Sequence, residues 1–193
     1  MKALSLALPL LALLAMSCHE EKKSPVEERV IEEVDEATGI INLRNYELSD
    51  TITIGGKQYK YTYSLEHVDT MPVLVNPQGL EYHESRVCIK IQGDSTTIFD
   101  KTFYKNNFKQ YVKKDFLQTS TMVGVNYNFT KRDEDRSAFY FIVTVGDPDE
   151  TSDMAWPMEL KVDTQGNYSI NKAENLETEP LRPGLNVEPS DDV

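Results

Sequence analysis

The chain has 193 residues, 27% of them charged, with 20 basic against 32 acidic side chains and a formal net charge of −12. That length suits one domain of ordinary size, and without a basic excess strong nucleic-acid binding is disfavoured. The acidity sits in the flanks: residues 19–38 carry eight acids and three bases, residues 174–193 six acids and one base, and residues 39–173 only 18 acids against 15 bases.

The N-terminus reads as an export signal. Lys2 is a short positive n-region, and Ala3 to Leu14 is apolar except for Ser5 and Pro9. Such a run, of about 12 residues, is too short to cross a bilayer core and has the length of a signal h-region. It ends in Leu14-Ala15-Met16-Ser17-Cys18. This resembles the lipobox of bacterial lipoproteins, with Ala15 where leucine is commonest. The resemblance implies cleavage before Cys18, diacylglycerol on its sulfur, and acylation of the new amine. Two or three acyl chains would hold the protein to a membrane with no spanning helix. The alternative is an ordinary secretory signal cut at Ala15-Met16-Ser17. Glu20-Glu21 follow closely, with no Asp directly after Cys18. That resembles the surface-export signal of Bacteroidetes lipoproteins and implies the outer membrane, with surface exposure.

Residues 1–17 are thus expected as signal peptide, 18–45 as an acidic tether, 46–173 as a β-rich domain and 174–193 as an acidic disordered tail. Within the tether, Val26, Val30, Ile31 and Val34 recur at helical spacing, so Glu27 to Glu36 could be a short helix instead of a spacer.

Asp50 to Ile54, Gly55-Gly56 and Lys57 to Glu66 form a hairpin signal, because paired glycines supply the positive φ of a tight turn. Tyr59, Tyr61, Tyr63 and Leu65 alternate with polar residues and share one face. A tyrosine row could stack on carbohydrate, but a core face is the commoner use. Met71 to Tyr82 is a loop or edge segment with a turn at Asn76-Pro77-Gln78-Gly79. Arg86 to Gln92 and Thr96 to Tyr104 read as strands. Cys88 alternates with Val87, Ile89 and Ile91, which fits a small half-buried side chain better than a nucleophile.

One helix is expected from Asn106, as its cap, to about Leu117, with Phe108, Tyr111, Val112 and Phe116 on a shared face. Lys105, Lys109 and Lys113 line the other side, as a solvated row or an anion-docking one. Ser120 to Phe129 alternates, with Thr121, Val123, Val125, Tyr127 and Phe129 on one face. Lys131 to Arg136 reads as a charged hairpin loop, and Phe139, Phe141, Val143 and Val145 point inward on the return. Met158 to Val162 and Tyr168 to Ile170 make a last hairpin. The expected fold is therefore mainly β, of the α+β kind: an antiparallel sandwich or partly open barrel with one amphipathic helix.

Chemistry is sparse. No nucleophile elbow, phosphate-binding glycine loop or His-Glu-x-x-His is present. His67 and His83 each adjoin a glutamate, Glu66 and Glu84, but neighbours on a strand face opposite ways. Asp147, Asp149 and Asp153 form the densest oxygen cluster, a calcium-like donor set without EF-hand spacing. Trp156 could stack on a sugar or sit in the core.

Four stretches resemble a family of uncharacterised Bacteroidetes lipoproteins classed as a domain of unknown function: Gly79-Leu80-Glu81-Tyr82-His83, Ile98 to Lys105, Val145-Gly146-Asp147-Pro148, and Met158 to Asp163 with Gly166-Asn167-Tyr168. The resemblance covers roughly residues 50–173, implies an envelope location and brings no catalytic residue. The expected function is a non-catalytic envelope module without a cofactor, taking a glycan or protein ligand through Tyr59, Tyr61, Tyr63 and Trp156. An unrecognised hydrolase or metal enzyme using His67, His83, Asp147, Asp149 and Asp153 is the alternative.

Overall fold

The computed structural model describes residues 32–149 and 151–173. Cys18 and the expected signal peptide and acidic tail lie outside the described residues.

Two four-stranded antiparallel sheets carry the core. The first runs in the order β3 (Tyr46–Ile54), β4 (Lys57–His67), β7 (Ser85–Gly93), β8 (Thr96–Phe103). The second runs β9 (Thr121–Tyr127), β10 (Ala138–Gly146), β11 (Ala155–Asp163), β12 (Tyr168–Lys172). Period-two patterning explains why they face each other. Tyr59, Tyr61, Tyr63 and Leu65 from β4 meet Phe139, Phe141, Val143 and Val145 from β10 in one buried cluster. The β3–β4 hairpin closes as its sequence predicts: Gly55 and Gly56 have φ of 57° and 79°, and Ile54 pairs with Lys57. The architecture is the β-rich sandwich expected, with little helix and no closed barrel.

A third, small sheet sits beside the end where β4 turns toward β7. It joins β1 (Glu32–Val34), β2 (Ile41–Leu43), β6 (Glu81–Tyr82) and β5 (Leu74–Val75) in that order. β2 and β6 run parallel and share one register pair, Ile41 with Tyr82. Leu43 and Tyr82 are fully buried. The folded region therefore starts before residue 46, and the expected tether of 18–45 is corrected at its end. Val34 pairs with Ile41 in a strand, so a helix reaching Glu36 is corrected too.

The expected single helix is broken. Lys105–Phe108 is a 3-10 turn and α1 is only Lys114–Thr119. Between them Lys113 is extended, with ψ of 138°. Asn106 does not cap it; the Asn107 side chain instead accepts from the Tyr104 N–H. Of the expected face, Phe108 and Val112 are buried and Tyr111 and Phe116 half-buried against the core, so burial of the apolar face, not helix continuity, was what the spacing encoded. The charged run forms a short helix, α2 (Phe129–Glu134), where a loop was expected, with Asn128 capping the Lys131 N–H at 3.0 Å.

In β9 the inward residues are Met122, Val125 and Tyr127, not Val123. Val145 pairs with Met122 and Thr144 with Gly124, so Val123 is an extra residue in a β-bulge. One inserted residue flips every side chain before it to the other face.

Candidate functional site

The inward tyrosine row is not open to a ligand. Tyr59, Tyr61 and Tyr63 are 7%, 2% and 7% exposed. Tyr61 stacks on Tyr127 at 4.4 Å, and Tyr61 and Tyr63 both meet the edge of the Phe141 ring. Burial pushes the hydroxyls of Tyr61, Tyr63 and Tyr127 above the ordinary phenol range. The stacking platform expected from these residues is thus corrected to core: the second sheet occupies the faces a sugar would need. Trp156 is half-buried and lies 4.3 Å from the Phe116 ring, anchoring α1.

The aspartate loop satisfies itself. Asp147 Oδ1 accepts from the Asp149 N–H, and Asp149 Oδ1 accepts from the Thr151 N–H and hydroxyl. These are turn-closing bonds of the kind short acidic side chains make. Among the described residues no three His, Cys, Asp or Glu side chains are placed to hold a metal, so Asp147, Asp149 and Asp153 are not brought together as ligands.

The histidines meet, but not over their neighbouring glutamates. His67 and His83 stack with ring centres 6.5 Å apart. Asp69 Oδ1 lies 3.4 Å from His67 Nε2 and 3.8 Å from His83 Nδ1, which also bonds Asn42 Oδ1 at 2.7 Å. Glu66 turns to Arg86 at 2.8 Å, and that bond holds its carboxyl below the usual range. Glu84 meets Lys105 at 2.6 Å, and both side chains are about nine-tenths buried. Lys105 therefore leaves the lysine row expected on the helix. Asp69 had no visible signal in the sequence. It joins the histidines because the β4–β7 register sets His67 opposite Ser85, two residues beyond His83.

Apart from Cys88, the outer face of the first sheet is polar. The register aligns Ser49, Thr62, Lys90 and Asp100 in one row, and Thr51, Lys60, Gln92 and Thr97 in the next. Ser49 and Thr62 hydroxyls bond at 2.6 Å, and Gln92 donates to Thr97. At the hairpin end a shallow groove of about 290 Å³ is lined by Thr51, Gln58, Lys60, Gln92, Asp94 and Ser95. It offers one cation, one anion and several neutral donors and acceptors, which suits a hydrogen-bonding ligand and not an apolar one. The Asp94-Ser95 turn that forms one wall holds two non-glycine residues at positive φ, 47° and 65°.

A family model described as a domain of unknown function (DUF4738) matches residues 26–170. The chain belongs to that family. The match begins within the expected tether, as does the described fold, so the β1–β2 hairpin is part of the DUF4738 domain. A search of curated proteins finds no match. Among the described residues no helix is long and apolar enough to cross a membrane.

The edges of the sheets complete the surface. On β9, the Tyr46 hydroxyl donates to the Val125 carbonyl at 2.9 Å and accepts from the Val125 N–H at 2.8 Å. On β12, the Tyr111 hydroxyl donates to the Ile170 carbonyl at 2.6 Å. On β8, a Cβ at Gly166 would come within 2.2 Å of the Ile98 carbonyl, so the β11–β12 turn lies against that edge.

Proposed function

We propose that this DUF4738 protein is a lipoprotein of a bacterial envelope, acylated on Cys18, whose domain is a non-catalytic binding module. The observation that carries the anchor is the run from Lys2 through Ala3–Leu14 to Ser17-Cys18. Glu20-Glu21 favour the outer membrane and its external side. The binding surface is the polar outer face of the first sheet, with the groove between Lys60 and Asp94 as the ligand seat. A glycan hydroxyl array or a polar protein surface fits those donors and acceptors; the buried tyrosines take no part.

Metabolic labelling with a clickable palmitate analogue, followed by protease shaving of intact cells, tests the reading. Label on the full chain that disappears in Cys18→Ala is expected, with loss of the domain from intact cells. A chain that stays unlabelled, or is equally labelled in Cys18→Ala, overturns the anchor. Protection until lysis overturns the external location. For the groove, glycan-array binding that Lys60→Ala and Asp94→Ala both abolish is expected; binding unchanged by either excludes it.

A further inference from the structure

We propose that β3 accepts an extended, basic segment of another protein as a fifth strand of the first sheet. This rests on the binding-module reading and names a second seat and its partner class. The two-residue turn makes Ile54 and Lys57 a hydrogen-bonded pair, so bonding to β4 recurs at Ile52, Asp50, Leu48 and Tyr46. The peptide groups of Glu47, Ser49, Thr51 and Thr53 then point away from the sheet. Of these, only the Thr51 N–H has a partner among the described residues, Asp50 Oδ1 at 2.6 Å. Every other edge of the two large sheets is capped or approached: β9 by Tyr46, β12 by Tyr111, β8 by the turn at Gly166. An edge whose outward peptide groups, the Thr51 N–H excepted, have no partner among the described residues is a template for a further strand.

Charge selects the occupant. β3 carries Glu47 and Asp50 and no basic residue. Asp50 lies on the side of Ile52 and Ile54 yet stays exposed. A second copy paired antiparallel over the full strand would set Asp50 directly opposite its own counterpart, where like charges repel. A lysine or arginine opposite Asp50, with another opposite Glu47, gives attraction instead.

The probe is a nine-residue threonine–valine peptide with lysine at its fifth and eighth positions, and its twin with glutamate there. The full chain in mild detergent is followed by residue-resolved hydrogen exchange. The lysine peptide is expected to slow exchange at Ser49 and Thr53 by about tenfold or more, since those amides gain a partner. The glutamate peptide is expected to leave them unchanged. Asp50→Lys is expected to reverse the preference, and Ser49→Pro to abolish the effect with the melting temperature kept. No slowing with the lysine peptide, or equal slowing with both, overturns the proposal. Slowing that grows with protein concentration and no peptide makes the occupant a second copy, which also overturns it. The palmitate and shaving experiment reads anchoring alone, so a negative here with that result intact removes the strand addition and not the envelope module.

Discussion

The two large sheets have the same number of strands and opposite treatments of their edges. On the second sheet, tyrosine hydroxyls stand in for a missing strand at both sides, Tyr46 on Val125 and Tyr111 on Ile170. On the first sheet, the outward peptide groups of β3 have, among the described residues, only the short-range bond of the Thr51 N–H to Asp50. A hydroxyl can both donate and accept, so one phenol satisfies both groups of a peptide. The difference teaches that the chain has a device for closing edges and does not spend it on β3. Stability belongs to the closed side, and the open side is free to vary.

Changes on the closed side should therefore be costly, and the largest cost should fall where burial and charge coincide. Lys105→Ala leaves Glu84 buried without its partner between the 3-10 turn and β7, and should lose about 3–5 kcal/mol in chemical denaturation. A loss under about 1 kcal/mol would mean water reaches that pair and the closed side is not closed. Tyr46→Phe strips both partners from Val125 and should cost about 1–3 kcal/mol, with new self-association through β9 visible in sedimentation. The same residue sets an alkaline limit. Burial pushes the Tyr46 hydroxyl up to about 12, more than its bond to Val125 pulls it down. The folded chain keeps this proton while the unfolded chain loses it near 10, so the contribution is complete below pH 10 and fades between 10 and 12. Unfolding curves across that window should fall less steeply in Tyr46→Phe.

Tyr111→Phe removes one bond to one carbonyl and should cost about 1 kcal/mol. Ser49→Pro should be the mildest, within about 0.5 kcal/mol, because its N–H faces away from β4 and proline is tolerated on edges. If Ser49→Pro proves costlier than Tyr46→Phe in the same melt, the contrast between the sheets is reversed.

Much of the fold was legible. The Gly55-Gly56 turn and the Tyr59-Tyr61-Tyr63 row fixed a hairpin and its inward face, because both signals are local. The bulge at Val123 had one cue, Gly124 beside it, since an isolated glycine inside a strand often marks a bulge, but the alternation of Thr121, Val123, Val125 and Tyr127 reads as an uninterrupted strand. The split of the expected helix was missed because Phe108, Tyr111, Val112 and Phe116 keep helical spacing across a segment that is only partly helical. The histidine site was half visible: His67 and His83 stood out as residues, but Asp69 joined them only through the β4–β7 register. Tyr46 gave no hint of its role, because its partner lies 79 residues away.

That separation bears on folding. The Tyr46–Val125 bond joins residues 79 positions apart and ties the first sheet to the edge of the second, a long-range contact of the kind that slows folding. Until it forms, the edge of β9 is as bare as that of β3 remains. Any chain in which that bond has not formed shows two open strand edges, and each is a template for pairing with another chain.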